Sequence, residues 1–245
     1  MIIKSTLRKF KGAIDMKKIL ILIFLMFFIS QGFCEDKFKW ARVKFLGTSI
    51  GIGGQKDNWD VDLDFDLKFL MELSQATTVK PEIKVYTPTL EKLEEITKYP
   101  ILFMHAETIT KYLDIEIKNM REYCLRGGFI WQDDCVLKGS GDYFFRSFKK
   151  VVEEKVFPGK KMVQLQPTHE IFHCHFDMPE GLPYCQGPAN GAWGLSDDKG
   201  RLMILSMSTD LHCGWKDEGG GYWGPEKTRE AYRMGINIVV YALTH

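Results

Sequence analysis

The segment YCLRGGFIWQDDC, Tyr123–Cys135, decides the fold. An amphipathic stretch ends at Gly127 and Gly128, where glycine can adopt the left-handed backbone that closes a helix. The compact apolar run GFIWQ follows at once and has the character of a buried strand. A helix that leads directly into a buried strand is typical of α/β proteins, in which helices connect the strands of one sheet.

The same alternation extends along the chain in both directions from this segment. Strands are predicted in KFKWARVKFLG before Gly47, at the β-prone Thr77–Val79, in PILFMH and in KMVQL, and helices from Asp64, in TLEKLEEITKY, from Asp114 and from Asp142. Two strands joined by a DDKG turn, GAWGLSDDKGRLMILSMS, precede a closing helix, PEKTREAYRMGINIVVYALTH. This order predicts an α/β domain with a mostly parallel sheet and helices on both faces.

The N-terminus has the features of a secretory signal. Lys17 and Lys18 precede eleven apolar residues, Ile19–Ile29, and a short polar-to-small stretch then leads to Cys34. The run is shorter than the ~20 residues of a permanent membrane-spanning helix, so we expect cleavage and no transmembrane anchor. We therefore expect a signal peptide at residues 1–34, over-long unless Met16 is the start, and a single domain at 36–245, exported to the periplasm or cell envelope.

Several features of the sequence bear on how the chain is anchored and on what it can bind. A lipid-modified Cys34 is the alternative anchor, but Phe33 stands where lipoprotein signals have a small residue. Removal of residues 1–34 takes away six basic residues and one acidic residue, so the net charge changes from +1 to −4 and nucleic acid is disfavoured as a partner. Five cysteines then remain, without a Cys-x-x-Cys pair, so neither a zinc ribbon nor a thioredoxin-type redox pair is predicted. The sequence indicates no particular cofactor.

The stretch HEIFH, His169–His173, has the spacing of a zinc protease. Pro167 and Pro179 bracket it, however, and HCHFDM alternates like a strand instead of continuing a helix. Ordinary loop and strand histidines are therefore favoured over a zinc protease. A chelate formed by His173 and His175 on one face of a strand is the remaining metal-binding alternative, and no metal ligands are included among the predicted site residues.

Polar residues follow the ends of several predicted strands. PILFMH ends in His105, GFIWQDD ends in Asp133 and Asp134, and LMILSMSTDLH ends with Asp210 and His212. In open α/β sheets, ligands bind beyond the carboxyl ends of the strands, so these side chains are expected to line one polar cleft. Imidazoles beside carboxyl groups can perform acid–base chemistry, whereas an aspartate after a strand can equally cap the next helix.

Four blocks of the sequence carry a resemblance to a known family. YCLRGGFIWQDDC, VFPGKKMVQLQPTHEIFH, STDLHCGW and GINIVVYALTH occur in the order found in the bacterial DUF4159 family, a domain of unknown function that the chain resembles over about Phe38–His245. The resemblance implies a flavodoxin-like fold similar to class I glutamine amidotransferases, with HEIFH as a turn. The positions that match the family's polar or aromatic pattern are His105, Asp133, Asp134, His169, Asp210 and Trp215. Lys216 departs from the acidic residue that often follows the tryptophan.

Cys135 lacks the flanking glycines of an amidotransferase nucleophile elbow, so glutamine hydrolysis is not expected. We expect instead a protein that binds an unidentified small-molecule or cell-envelope ligand. The alternative is a hydrolase acting on a sugar or cell-wall amide, and a histidine-based metal-binding protein is a third reading. The candidate catalytic residues are His105, Asp133, Asp134 and His169, with His169 expected in the same polar cleft, and the candidate binding residues are Asp210, His212 and Trp215. Gly219–Gly221, with Tyr222 and Trp223 beside them, suggest a flexible loop, or else a lid or a sugar-stacking loop.

Overall fold

Helices and strands alternate as predicted in the computed structural model, which describes residues 37–45, 47–48, 58–136, 141–216 and 223–245. The expected signal peptide, the glycine run Gly219–Gly221 and Tyr222 lie outside these residues. The strands are β1 (Phe38–Arg42), β2 (Gly47–Thr48), β3 (Pro81–Tyr86), β4 (Ile101–Ala106), β5 (Ile109–Thr110), β6 (Phe129–Asp134), β7 (Val163–Gln164), β8 (Trp193–Ser196) and β9 (Leu202–Met207). The α-helices are α1 (Leu63–Ala76), α2 (Leu93–Ile96), α3 (Asp114–Leu125), α4 (Tyr143–Val151) and α5 (Pro225–Thr244).

The described strands form a seven-stranded sheet in the order β3-β1-β4-β6-β9-β8-β7, and β2 pairs with β5 in a separate two-stranded sheet. The first five strands of that order are parallel, whereas β8 runs antiparallel to β9 and β7 antiparallel to β8. Numbered along the chain, the parallel strands follow the order 2-1-3-4-5, which is that of flavodoxin-like folds. The predicted flavodoxin-like α/β class is therefore confirmed. The strand that follows α1 is β3 (Pro81–Tyr86), however, and not the predicted Thr77–Val79. Those residues instead connect α1 to β3.

Each face of the sheet has its own apolar core, because successive strand residues point to opposite sides. On one face, Trp40, Phe103 and Trp131 pack against α1 and α5. On the other face, Leu102 and Ile130 pack against α3 and α4. Helices therefore cover both faces, as predicted.

The direction of the chain changes between β1 and β4. After β1 the chain forms β3 on one side, then returns to form β4 on the other side of β1. In flavodoxin-like folds this change of direction opens a crevice at the carboxyl ends of the two strands, where ligands bind. Arg42 ends β1 and His105 lies near the end of β4, so both residues lie where the chain changes direction.

Residues Lys37–His245 form one compact unit. In the part of the chain that the structure describes, the helices lack the combination of length and apolar character needed to cross a membrane.

Candidate functional site

The carboxyl ends of four parallel strands bring a polar cluster together on the face covered by α1 and α5. Arg42 comes from β1, His105 from β4 and Asp133 from β6, and His212 follows β9. His105 and Asp133 are aligned across neighbouring strands. All four side chains are fully buried. The prediction that residues from separate strand ends converge is therefore met for His105, Asp133 and His212.

Arg42 and Asp66 form a buried ion pair at the base of this cluster. Arg42 Nη1 lies 3.0 Å from Asp66 Oδ2, and Trp40 Nε1 donates to Asp66 Oδ1 at 2.9 Å. Arg42 also donates to the main-chain oxygens of Trp59 at 2.9 Å and Val61 at 3.1 Å. Burial raises the pKa of Asp66, and Arg42 and Trp40 oppose that shift. The pair fixes one end of the cluster in a single geometry.

The ion pair determines which nitrogen of His212 carries a proton. Arg42 Nη1 lies 3.2 Å from His212 Nε2, and the guanidinium can only donate, so Nε2 must accept. His212 is then neutral with its proton on Nδ1. Burial, with His105 and Arg42 nearby, lowers the pKa of His212 well below its usual value, in agreement with a neutral ring. The imidazoles of His105 and His212 lie 4.2 Å apart between ring centroids.

Asp133 and Asp210 are two buried carboxyl groups on the same side of this cluster. Asp133 Oδ2 accepts a hydrogen bond from the His212 amide at 3.0 Å and lies 3.5 Å from His105 Nδ1. Gln186 Nε2 donates to Asp210 Oδ2. Burial raises the pKa of Asp133 to about 7 and that of Asp210 well above its usual value. Asp210 also has a left-handed backbone, with φ of 55°, which is uncommon for a residue other than glycine.

Several polar atoms in this cluster lack a hydrogen-bond partner among the described residues. They are His105 Nδ1 and Nε2, Asp133 Oδ1, Asp210 Oδ1 and His212 Nδ1. The contact between His105 and Asp133 is too long to count as a strong hydrogen bond. Because buried polar groups in native proteins are nearly all satisfied, a concentration of unpaired ones marks a place where a water, an ion, a ligand or a group outside the described residues supplies the partner.

Two cysteines adjoin the cluster. Cys135 follows β6 directly and Cys213 follows His212, and their sulfur atoms lie 3.7 Å apart. Cys135 Sγ also lies 3.2 Å from Glu107 Oε1. The contact with Cys213, together with burial, raises the pKa of the Cys135 thiol well above its usual value. Cys135 has no left-handed backbone of the kind found at a strained nucleophile elbow.

Asp134 and Trp215 lie near the cluster but have structural contacts. Asp134 points to the opposite face of the sheet from Asp133, where its Oδ2 accepts a hydrogen bond from the Phe145 amide at 2.8 Å in the first turn of α4. Burial raises the pKa of Asp134 to about 8. The Trp215 ring stacks on Phe69 with centroids 4.2 Å apart, and its Nε1 donates to the Ala231 carbonyl oxygen. Asp134 thus caps a helix, and Trp215 belongs to the core.

His169 does not join the cluster, contrary to the expectation of one shared cleft. Its ring packs against Tyr241, with centroids 6.0 Å apart, and the Tyr241 hydroxyl accepts from the amide of Leu202, the first residue of β9. His169 therefore lies at the amino edge of the sheet, opposite the cluster. The sequence could not show this, because HEIFH follows β7, an edge strand that runs only from Val163 to Gln164.

The HEIFH segment does not form a protease helix. Glu170–Phe172 is a single 3-10 turn, in keeping with the turn that the family resemblance implied. The two nitrogens of His173 contact Asp177 Oδ1 at 2.6 Å and the Pro167 oxygen at 2.7 Å. His175 Nε2 contacts the Ala76 oxygen at 3.0 Å. The expected strand around His173 and His175 is absent from this described stretch, so the chelate suggested by the sequence loses its basis.

Arg42, Asp66, Cys135 and Cys213 were not among the predicted site residues. Asp66 carried a usable signal, because it lies three, four and seven positions before Phe69, Leu70 and Leu73, on the apolar face of its helix. A charge on a buried helix face predicts a buried counter-ion. Arg42 carried the matching signal, as a cation on the inward-facing side of a strand.

Comparison with known families agrees with the resemblance of the four sequence blocks. No curated protein matches the chain. The profile described as "Domain of unknown function (DUF4159)" matches residues 43–243. That match covers β2 to β9 and most of α5, including every residue of the polar cluster except Arg42. The chain therefore belongs to the DUF4159 family.

Proposed function

We propose that this domain is exported and serves an envelope process by binding a small neutral molecule that carries hydroxyl or amide groups. The binding site would be the carboxyl edge of the sheet, at the change of direction between β1 and β4. The observation that supports this proposal is that Asp133 Oδ1 and His212 Nδ1, both on fully buried side chains, have no hydrogen-bond partner in the part of the chain that the structure describes. Leaving such atoms unpaired costs about 1–3 kcal/mol each, so a ligand that pairs with them gains that free energy.

The chemistry of the two atoms favours a neutral ligand. His212 Nδ1 is a donor, because Nε2 accepts from Arg42, and Asp133 Oδ1 is an acceptor whenever that carboxyl is ionised. A hydroxyl or an amide group can satisfy a donor and an acceptor together. Arg42, the one arginine or lysine that is buried among the described residues, is already paired with Asp66, and the Asp133 and Asp210 carboxyl groups lie close by. An anionic ligand would therefore meet carboxyl groups and no uncommitted guanidinium.

A hydrolase acting on a sugar or cell-wall amide is the second candidate. The 3.5 Å separation between His105 Nδ1 and Asp133 Oδ2 supports it, because the two groups could tighten into an acid–base pair around a substrate. Glutamine amidotransferase activity has no such support, since Cys135 lacks the backbone of a nucleophile elbow. Binding remains the simpler proposal because it requires only the unpaired atoms.

The experiment is a binding screen with purified protein. The panel consists of neutral mono- and disaccharides, N-acetylated amino sugars and small amides, measured by ligand-observed NMR and thermal shift. We expect at least one ligand with Kd below about 1 mM, and at least a tenfold weaker Kd for Asp133→Asn and His212→Phe. His169→Ala, at the opposite edge of the sheet, is the matched control and should bind as the parent protein does.

The screen also separates the two candidates. Equal binding by the parent protein and Asp133→Asn, or a panel without any binder, would count against the proposed site. Turnover of a glycoside or amide that disappears in both Asp133→Asn and His105→Ala would replace binding by hydrolysis. Export is tested separately by mass analysis of the mature N-terminus, and retention of residues 16–34 would contradict it.

A further inference from the structure

A second set of donor atoms gathers at the same edge of the sheet, on the side of β6 and β9. His105 lies near the end of β4, Cys135 follows β6, and Asp210 and Cys213 follow β9. One donor atom from each residue lies within 4.8 Å of the donor atoms of the other three, and all four residues are buried. We propose that these four side chains bind one Zn²⁺ ion in a closed tetrahedral site. This inference does not depend on the identity of any organic ligand.

The distance between the two sulfur atoms agrees with zinc coordination. Two thiolates that each lie ~2.3 Å from a tetrahedral zinc ion are ~3.8 Å apart, and the Cys135 and Cys213 sulfurs are 3.7 Å apart. A disulfide would require ~2.05 Å between the same atoms. Nitrogen and oxygen donors bind zinc at ~2.0–2.2 Å, so the other edges of the tetrahedron would be ~3.3–3.6 Å long. A contraction of about 1–1.5 Å at the longest separation completes the shell.

The unpartnered atoms of the cluster give a second, independent reason. Neither ring nitrogen of His105 has a hydrogen-bond partner among the described residues, and neither does Asp210 Oδ1, although both side chains are fully buried. His105 and Asp210 are the two members of the four-residue set that are not cysteines, so the unpaired atoms and the sulfur atoms belong to one set of donors. A metal ion would satisfy one lone pair on each residue, which hydrogen bonds within the described chain do not.

The neighbours of these residues resemble the outer shell of a zinc site. Asp133 Oδ2 lies 3.5 Å from His105 Nδ1, which leaves Nε2 as the atom to face the metal. Gln186 donates to Asp210 Oδ2, which leaves Oδ1 for the metal. Carboxylates that orient a metal-binding imidazole, and hydrogen bonds that orient a metal-binding carboxylate, are general features of such sites. The left-handed backbone of Asp210 belongs to a class of conformations found disproportionately at functional sites.

The donor set selects the metal. Two thiolates exclude Mg²⁺ and Ca²⁺, which prefer oxygen ligands, and a tetrahedral set of sulfur, nitrogen and oxygen donors suits Zn²⁺. Four protein ligands leave no open position, so the ion would have a structural role. It would tie the end of β4 to the segments that follow β6 and β9. On binding, the two thiols each release one proton to the solvent, a protonated Asp210 carboxyl releases its proton as well, and the zinc ion undergoes no change of oxidation state.

The test uses the purified full protein and the metal alone. The reduced protein is stripped with a chelator, reconstituted with Zn²⁺ and assayed by inductively coupled plasma mass spectrometry, where we expect about one zinc per chain. Reconstitution with Co²⁺ should give a thiolate-to-cobalt charge-transfer band in the near ultraviolet. Cys135→Ser and Cys213→Ser should lose the band and the stoichiometric zinc, whereas Cys174→Ser, whose thiol contacts the Asn237 carbonyl oxygen, should keep both.

Two results would overturn the proposal. One is a reconstituted parent protein that binds less than about 0.2 zinc per chain and shows no charge-transfer band, a readout that requires no variant to fold. The other is a Cys135–Cys213 disulfide, found by alkylation and mass spectrometry, in protein whose reduced form does not take up metal. Asp210→Asn keeps the shape of the side chain and should weaken zinc binding at least tenfold; unchanged affinity would remove Asp210 from the site. The two proposals can fail separately. Zinc binding by a protein that binds none of the organic ligands would support only the zinc site, and ligand binding by a protein that takes up no zinc would support only the proposed function.

Discussion

Replacement of Asp66 by leucine should destabilise the protein by about 3–5 kcal/mol. The substitution leaves two buried donors without their acceptor, Trp40 Nε1 at 2.9 Å and Arg42 Nη1 at 3.0 Å. An unsatisfied buried donor costs about 1–3 kcal/mol and a charged one costs more, and removal of one partner from a buried ion pair costs about 3–5 kcal/mol. The two estimates agree because both describe a guanidinium left without compensation in the core.

The cost can be measured with a double-mutant cycle of Asp66→Leu and Arg42→Met, using urea unfolding. A loss of about 4 kcal/mol moves the midpoint by more than about 1 M for a domain of this size. Arg42→Met leaves the carbonyl oxygens of Trp59 and Val61 unpaired, and it also leaves Asp66 without its counter-ion. Adding Asp66→Leu removes that uncompensated carboxylate but also the acceptor of Trp40 Nε1, so the double variant should be about as stable as Arg42→Met alone. The coupling energy should therefore reach at least about 2 kcal/mol.

Asp64 provides the matched control. It lies on the same helix but is exposed, so Asp64→Leu should change stability by no more than about 0.5 kcal/mol. Two results would show that Arg42 and Asp66 do not form the buried pair. One is a loss of stability below about 1 kcal/mol for Asp66→Leu, and the other is a double-mutant cycle in which the effects of Asp66→Leu and Arg42→Met simply add. The polar cluster would then lack the support that holds His212 in one orientation.

Three further changes test other parts of the fold. Asp134→Ala should cost about 1 kcal/mol in urea unfolding because it removes the cap of α4, whereas Asp134→Asn, which keeps an acceptor oxygen, should cost less; equal losses would contradict the capping role. Gly128→Ala should cost about 1–3 kcal/mol, because a β-carbon there overlaps the buried ring of Tyr123, and unchanged stability would show that the ring can move. The Glu153 carboxylate accepts hydrogen bonds from two lysines and a main-chain amide, and its pKa is lowered because these contacts outweigh burial. Because the pKa is lower in the folded state, the ionised carboxylate stabilises the fold at pH values above its usual pKa of 4.5, and this stabilisation is lost as the pH falls. Glu153→Gln should therefore cost about 1 kcal/mol at about pH 7 and less at about pH 3. An equal cost at both pH values would refute the assignment.

The sequence predicted the central strands because they are buried on both faces. ILFMHA and FIWQDD lie in the middle of a parallel sheet, so their apolar runs are nearly continuous and easily recognised. Pro81–Tyr86 is an edge strand with one half-exposed face, and its sequence PEIKVY mixes charged and apolar residues. Because this pattern is weaker than that of a buried strand, the sequence instead favours a strand at the β-prone Thr77–Val79.

The sequence indicated which edge of the sheet carries the polar cluster, but only some of the residues that form it. Strand ends can be recognised from sequence, and the carboxyl ends of parallel strands meet at one edge of the sheet, which is why His105, Asp133 and His212 lie together. Membership depends on which face each side chain takes, and neighbours in a strand take opposite faces. Asp133 and Asp134 show the consequence, since the first joins the polar cluster and the second caps a helix.

The balance between charge and burial at this edge indicates that the cluster serves a purpose other than stability. A core of this size could accommodate apolar side chains at Arg42, Asp66, His105, Asp133 and Asp210 with less desolvation, and such replacements are often neutral or stabilising in other proteins. Buried together with His212, and with several atoms unpaired among the described residues, these ionisable side chains instead add a cost that the fold does not require. The cost falls at the carboxyl ends of the parallel strands, where flavodoxin-like folds bind their ligands, and its donor atoms match both a neutral polar ligand and a zinc ion. Because the two proposed sites share the edge but use different atoms, the zinc ion would hold the segments that present Asp133 and His212 to the ligand.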